Sequence, residues 1–265
     1  MNSTASIRQP AVAGAFYPND PAELQLMINK MLAAASTTGA VPKVIIAPHA
    51  GYVYSGPVAA SVYKLLEAAH ATIKRVVLLG PSHRVPVNGI AISSAGFYST
   101  PLGRVALDQE AIHAIATLPG VEQLDMAHTH EHSLEVHIPF LQTVLDDFTL
   151  VPLVVGDADS DQVAKIMDTL WGGNETLIVV SSDLSHYHDY EEAKSMDKAT
   201  SDAIVHLRSD DIGYDDACGR NPVCGLLELA SQRGLEVKTV DLRNSGDTAG
   251  PRDRVVGYGA YAFYE

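Results

Sequence analysis

Histidines stand at the carboxyl ends of three apolar runs in this chain. His49 closes KVIIAPH (43–49), His83 closes RVVLLGPSH (75–83), and Asp183 and His186 follow TLIVVSS (176–182). Imidazoles ligate metals and carry protons near neutral pH. In an open α/β sheet the ligand crevice lies beyond the carboxyl ends of the strands. Three separate strands would therefore deliver His49, His83 and His186 to one edge. A single loop histidine carries little weight, but the three together point to a site.

The segment AHTHEHSLEVH (127–137) adds His128, His130, Glu131, His132, Glu135 and His137. Helical spacing would place His132 and Glu135 side by side, as i and i+3. Ser133 and Leu134 interrupt the H-E-x-x-H zinc pattern, so that motif is not formed. Among these histidines His132 is the favoured site residue, ahead of His128 and His130. Cys218 lies in CGRNP (218–222), just ahead of a helix expected to open at Pro222. A helix N-terminus favours the thiolate, the form that binds metal or attacks. Cys224 reads as a small buried hydrophobe.

Other chemistries lack their signatures. No G-x-G-x-x-G or Walker A loop is present, so no nucleotide cofactor is expected. Gly80-Pro81-Ser82-His83-Arg84 looks like a nucleophile elbow but carries Arg where the second glycine belongs.

The elements that must position these residues alternate. Asp20-Pro21-Ala22-Glu23 marks a helix start, with Leu24, Met27, Ile28, Met31 and Leu32 at helical spacing. The strand 43–49, a helix carrying Val58, Val62, Leu65 and Leu66, and the strand 75–83 form a βαβ unit. Further strands are expected at 89–94, 148–156 and 176–182, and in EVKTVDL and RVVGYGAYAFY near the end. Helices are expected from Asp108 to Leu118, over 134–145, around Val163 to Leu170, over 189–208, and over 222–232 with Gly234 ending it. Continuous apolar strands between helices imply a sheet covered on both faces. The expected fold is a single domain over 1–265, a three-layer α/β/α sandwich with a largely parallel or mixed central sheet.

Composition narrows the partners. The chain has 265 residues, 18 Lys+Arg against 32 Asp+Glu, and a net charge of −14. Nucleic-acid binding needs clustered Lys and Arg to neutralise phosphate, and no basic run occurs. With 46% hydrophobic and 19% charged residues the chain has the composition of a folded domain. No apolar stretch reaches the ~20 residues of a membrane span, and no signal-peptide pattern is seen. A cytoplasmic protein that binds neither nucleic acid nor membrane is expected.

In order along the chain, PAVAGAFYP (10–18), APHAGYVYSG (47–56), GPSHRVP (80–86), EHSLEVHIPF (131–140), SSDLSH (181–186), CGRNP (218–222) and VVGYGAY (255–261) resemble the motifs of the Memo family, also called AmmeMemoRadiSam system protein B. The resemblance spans nearly the whole chain. That family is similar in fold to class III extradiol dioxygenases of the LigB type, which hold non-haem Fe(II) with two histidines and a glutamate. By motif, His49 and His83 take the two histidine-ligand positions and His186 the acid/base position. Cys218 takes the place of the glutamate. Thiolate in place of carboxylate softens the site, favouring Cu(I) or zinc while still permitting iron. Asp183 either supplies an oxygen ligand or orients His186.

The resemblance also bears on what the crevice takes. Tyr17 and Tyr54, with Phe16 beside them, lie in motifs expected near it, and Arg220 could meet an anionic group. The first expectation is a redox or dioxygenase-like enzyme using iron or copper. The second is a non-catalytic protein binding a metal or phosphopeptide in the same crevice, as animal members of the family are associated with phosphopeptide binding. Metal-assisted hydrolysis is the third. The family name further implies a pathway link to a radical-SAM protein.

Overall fold

A computed structural model describes residues 6–265. The chain enters through a two-residue strand, β1 (Ile7–Arg8), and then α1 (Pro21–Ala34). The Asp20 side chain caps α1 by accepting from the Ala22 and Glu23 N–H groups. The βαβ unit follows as β2 (Val44–Ala47), α2 (Tyr52–Tyr63) and β3 (Arg75–Pro81). Next come β4 (Ile90–Ile92), the hairpin of β5 (Phe97–Thr100) and β6 (Gly103–Ala106), α3 (Gln109–Ile115), β7 (Val121–Gln123) and α4 (Asp125–Thr129). The remainder runs α5 (Ile138–Val144), β8 (Thr149–Val155), α6 (Ser160–Thr169), β9 (Thr176–Ser181), β10 (His186–His188), α7 (Tyr190–Val205), α8 (Arg220–Arg233), β11 (Glu236–Asn244) and β12 (Val255–Tyr264).

Nine strands make one mixed sheet in the order β10-β12-β2-β9-β3-β8-β4-β7, with β11 paired to β12. Its centre, β2-β9-β3-β8, is parallel, and β12 and β4 flank it antiparallel. The central strands are buried along almost their whole length, as expected where both sheet faces are covered. Helices α1, α2 and α5 pack on one another in one layer, and α6, α7 and α8 form the other. This is a three-layer α/β/α sandwich. Strands β1, β5 and β6 form a small second sheet, which abuts the large one where Leu107 bridges to Leu150 of β8.

Several boundaries differ from expectation. The helix expected over 134–145 starts as a 3₁₀ turn, Glu135–His137, before continuing as α5. The last helix begins at Arg220 rather than Pro222, because Pro is tolerated in a first helical turn as well as at its first position. Gly234 ends it with φ of 68°, as the glycine there required. Strands β1, β5, β6, β7 and β10 were not expected, being too short to show an alternating pattern. No helix among the described residues is long and apolar enough to cross a membrane.

Candidate metal centre

The strand order explains the site. β2, β9 and β3 are adjacent and parallel, so their carboxyl ends open on the same edge. His49 follows β2 by two residues, His83 follows β3 by two, and Ser181 and Asp183 come from the end of β9. His132 arrives from the loop between α4 and the Glu135–His137 turn. One ring nitrogen from each of His49, His83 and His132 lies within 4.8 Å of the other two. The His83 and His132 rings stack at 4.6 Å and 20°, and His49 meets His83 edge-on at 5.2 Å. These imidazoles line a crevice of about 890 Å³, shared with Phe16, Arg84, Asp183, His186, Tyr187, Tyr214 and Cys218.

Hydrogen bonds fix two of the three rings. Glu131, fully buried, accepts from His83 Nδ1 at 2.9 Å and from the backbone N–H groups of His83, His132 and Ser133 at 2.6, 2.9 and 2.9 Å. A carboxylate only accepts, so the proton of a neutral His83 sits on Nδ1 and Nε2 keeps its lone pair. Carboxylate-held histidines of this kind are common around metals. His49 Nδ1 contacts Ser181 Oγ at 2.6 Å, and its Nε2 lies 3.3 Å from Cys218 Sγ. His132 Nδ1 is buried without a hydrogen-bond partner, 3.4 Å from Glu131 Oε1 but out of line with it.

Burial sets the charge state. It pushes the His49 pKa well below the ordinary imidazole value, with the neighbouring imidazoles adding, and holds His132 at about 4. His186 is lowered by the same cause. For Glu131 burial acts upward, but the bonds from His83 and the backbone outweigh it and bring the pKa to about 2. Asp183, buried and accepting the His49 N–H at 2.7 Å, is raised to about 7. The thiolate expected for Cys218 from its place before a helix is not what the site favours. Burial, with the Asp183 carboxyl adding, raises the thiol and keeps it protonated. Desolvation of a buried charge outweighs the pull of one helix end.

The donor set fits a transition metal. It offers three clustered imidazoles, a buried nitrogen lacking a partner among the described residues, and a sulfur beside His49. Tetrahedral ligation with ordinary metal–nitrogen and metal–sulfur lengths separates the two donors by about 3.5 Å. The observed 3.3 Å between His49 Nε2 and Cys218 Sγ matches that separation. His49 and His83 lie together in the cluster, whereas Cys218 lies beside His49 and outside the group of three imidazoles. His132, the favoured site residue of its segment, stands within the imidazole cluster itself.

The remaining candidates divide. His186 and Asp183 line the crevice. Tyr17 does not; it is buried and its hydroxyl donates to Glu135 Oε1 at 2.5 Å. Tyr54 is 40% exposed and also lies outside the crevice lining, whereas Phe16 belongs to it. Arg220 donates to the Ile212 carbonyl at 2.7 Å and to Asn221, and stacks on the Tyr214 ring. It supports the crevice wall rather than facing the cavity. Glu135 does not pair with His132, because Arg8, Tyr17 and the Ala11 and Val12 N–H groups claim it. His128 is buried between Tyr98 and the Ala91 carbonyl, and Cys224 is buried in α8.

Sequence reading missed the roles of Glu131, Ser181 and His137. Glu131 had one available signal, its place between two histidines of a site-forming segment. Ser181 reads only as the end of a strand.

Residues 8–262 match the family model described as Memo-like protein. A MEMO1 family protein of Aquifex aeolicus is 36% identical over 267 residues, covering 95% of this chain and 97% of the relative. Those of Methanopyrus kandleri and Methanothermobacter thermautotrophicus are each 34% identical, covering 97% and 95% of this chain and 98% of either relative. Full-length matches at this identity, with the motifs that build the crevice falling inside the matched region, establish that the chain belongs to the Memo family.

Proposed function

We propose that this protein is a metal-dependent oxidoreductase that holds iron or copper at the base of the crevice. The observation that carries the reading is the convergence of His49, His83 and His132, each offering a ring nitrogen within 4.8 Å of the others. A redox-active ion there would supply electron transfer and dioxygen chemistry that side chains cannot. Cys218 places a soft sulfur beside His49, which suits Cu(I) and is compatible with iron. His186 and Asp183 line the same cavity and are the groups proposed to hold and move protons at a substrate. Phe16, Tyr187 and Tyr214 give the cavity aromatic walls for an organic molecule.

Hydrolysis is the second reading, because three histidines are also the donor set of catalytic zinc. The sulfur beside His49 favours the redox reading over it. The phosphopeptide reading has less support, since Arg220, its expected anchor, is engaged by Ile212 and Tyr214.

The test is elemental analysis after anaerobic purification without a metal-binding tag, on wild type, His49→Ala, His132→Ala and Cys218→Ser. Stoichiometric iron or copper in wild type, lost in His49→Ala, is expected, followed by oxygen consumption with a reductant. No metal in wild type and no uptake on reconstitution would overturn the proposal. Stoichiometric zinc, with turnover unchanged by strict anaerobiosis, would replace it with hydrolysis.

A further inference from the structure

Ser181, at the end of β9 and fully buried, is the hub of a hydrogen-bonded chain that runs behind the imidazole cluster. Its Oγ lies 2.7 Å from the Ser133 carbonyl, 2.6 Å from His49 Nδ1 and 2.8 Å from His137 Nε2. The Tyr63 hydroxyl lies 2.9 Å from His137 Nδ1. A hydroxyl has one proton to donate and two lone pairs to accept with. A carbonyl accepts only, so the Ser181 proton must go to Ser133 if that contact is a hydrogen bond. Both imidazoles must then donate to Ser181. His49 therefore carries its proton on Nδ1 and His137 carries its own on Nε2. The Nδ1 of His137 is left to accept from Tyr63. For neutral imidazoles, the form that burial favours at both residues, no other assignment satisfies all four contacts, and buried polar groups are rarely left unsatisfied.

We infer that Ser181, set by His137 and Tyr63, locks His49 in the tautomer whose Nε2 lone pair faces the crevice. The opposite tautomer would point an N–H at Cys218 and the other imidazoles and could not ligate. The chain is a clamp rather than a proton path, because it ends on Tyr63, which is fully buried and stacked on Phe140 at 5.1 Å. Ser181 also ties down the loop carrying His132 through the Ser133 carbonyl, so one hydroxyl orients one imidazole and anchors the segment bearing another. Ser181 and His137 are positioning residues. Their consequence for metal binding rests on the proposed function, whereas the tautomers do not.

The test is nitrogen-15 NMR of histidine-labelled, metal-free wild type, in which ring couplings distinguish the two tautomers. Protonated Nδ1 on His49 and protonated Nε2 on His137 are expected. His49 protonated at Nε2, or His137 protonated at Nδ1, would overturn the inference, and this needs no variant to fold. In Ser181→Ala, His49 should populate both tautomers and Co(II) affinity should fall about 10–100-fold. Ser181→Thr, which keeps the hydroxyl, should recover much of that loss. A Ser181→Ala protein with the wild-type tautomer and wild-type Co(II) affinity would overturn the inference. Expected tautomers with no Co(II) uptake by wild type would instead count against the metal reading and leave the lock standing.

Discussion

Cys218 and His49 are 169 residues apart in the chain, yet Sγ and Nε2 meet at 3.3 Å in the crevice lining. The contact is between two neutral groups, a thiol whose pKa burial raises and an imidazole whose pKa burial lowers. It lets both polar atoms be buried without burying a charge. The Asp183 N–H also points at the sulfur, at 3.3 Å, and fixes its position from the other side. A metal ion entering between them would take the place of the thiol proton.

Metal binding should therefore release a proton at neutral pH, because the ligand thiol is protonated in the metal-free state. Calorimetric titration with Zn(II) in buffers of different ionisation enthalpy would measure that release. Cys218→Ser should release about one proton fewer and should weaken Cu(I) binding by more than it weakens Fe(II) binding, since the softer ion loses more when sulfur goes. Equal proton release in wild type and variant would place Cys218 outside the ligand set.

Glu131 should make both stability and metal affinity depend on acid. Its pKa is depressed to about 2, so its contribution to stability is present above the unfolded carboxylate value and lost as pH falls toward 2. The shift corresponds to about 3 kcal/mol. Glu131→Gln keeps an acceptor for His83 Nδ1 but sets an amide NH₂ against backbone donors. Urea denaturation should find it less stable than wild type by about 2–4 kcal/mol at pH 7, with the gap closing below pH 4. Co(II) affinity at pH 7 should fall about 10–100-fold. A gap independent of pH would contradict the role.

The parts of the site legible in the sequence are those delivered by strand ends. His49 and His83 each close an apolar run, and the parallel order of β2, β9 and β3 does the rest. His132 could be favoured but not given its place, because it reaches the cluster on a loop with no periodic signal. Roles that depend on a partner far away in sequence could not be read. Tyr17 is 118 residues from the Glu135 that engages it, and Ser181 is 132 residues from the His49 whose ring it contacts. At Cys218 the sequence shows the helix start, which favours the thiolate, but not the depth of burial, which raises the thiol in the metal-free site. The small sheet was invisible because two- to four-residue strands carry no pattern.

Asp197 should give a pH dependence of the opposite sign. It is 3% exposed on α7, accepts the Ser185 N–H at 3.0 Å, and has its pKa raised to about 6 by burial. A raised carboxyl pKa means the folded state binds the proton more tightly than the unfolded state does. Its favourable contribution is complete below about pH 4 and is lost as pH rises through 6, amounting to about 3 kcal/mol. The Asp197→Asn variant, which does not titrate, should gain that amount on wild type between pH 4 and pH 7.5. Denaturation curves for the pair across that range measure it, and a constant difference would show that Asp197 titrates normally.

Two glycines bound α8 for different reasons, and substituting them should separate stability from site geometry. Gly219, next to Cys218, has no room: an added Cβ would lie 2.5 Å from the Ser181 carbonyl oxygen and 2.6 Å from Ser182 Cβ. Neither can yield cheaply, since one is backbone of the central sheet and the other sits in the loop that carries Asp183. Gly219→Ala should therefore cost about 1–3 kcal/mol and push Cys218 out of register with His49. Gly234 has open space around it but φ of 68°, so Gly234→Ala meets only left-handed strain, about 1 kcal/mol. Urea denaturation and Co(II) titration of both variants give the comparison. Comparable stability losses with Co(II) affinity lowered only in Gly219→Ala are expected, because only that end of the helix holds the sulfur in place. Unchanged Co(II) affinity in a folded Gly219→Ala protein would mean that the close approach of α8 to β9 does not position Cys218.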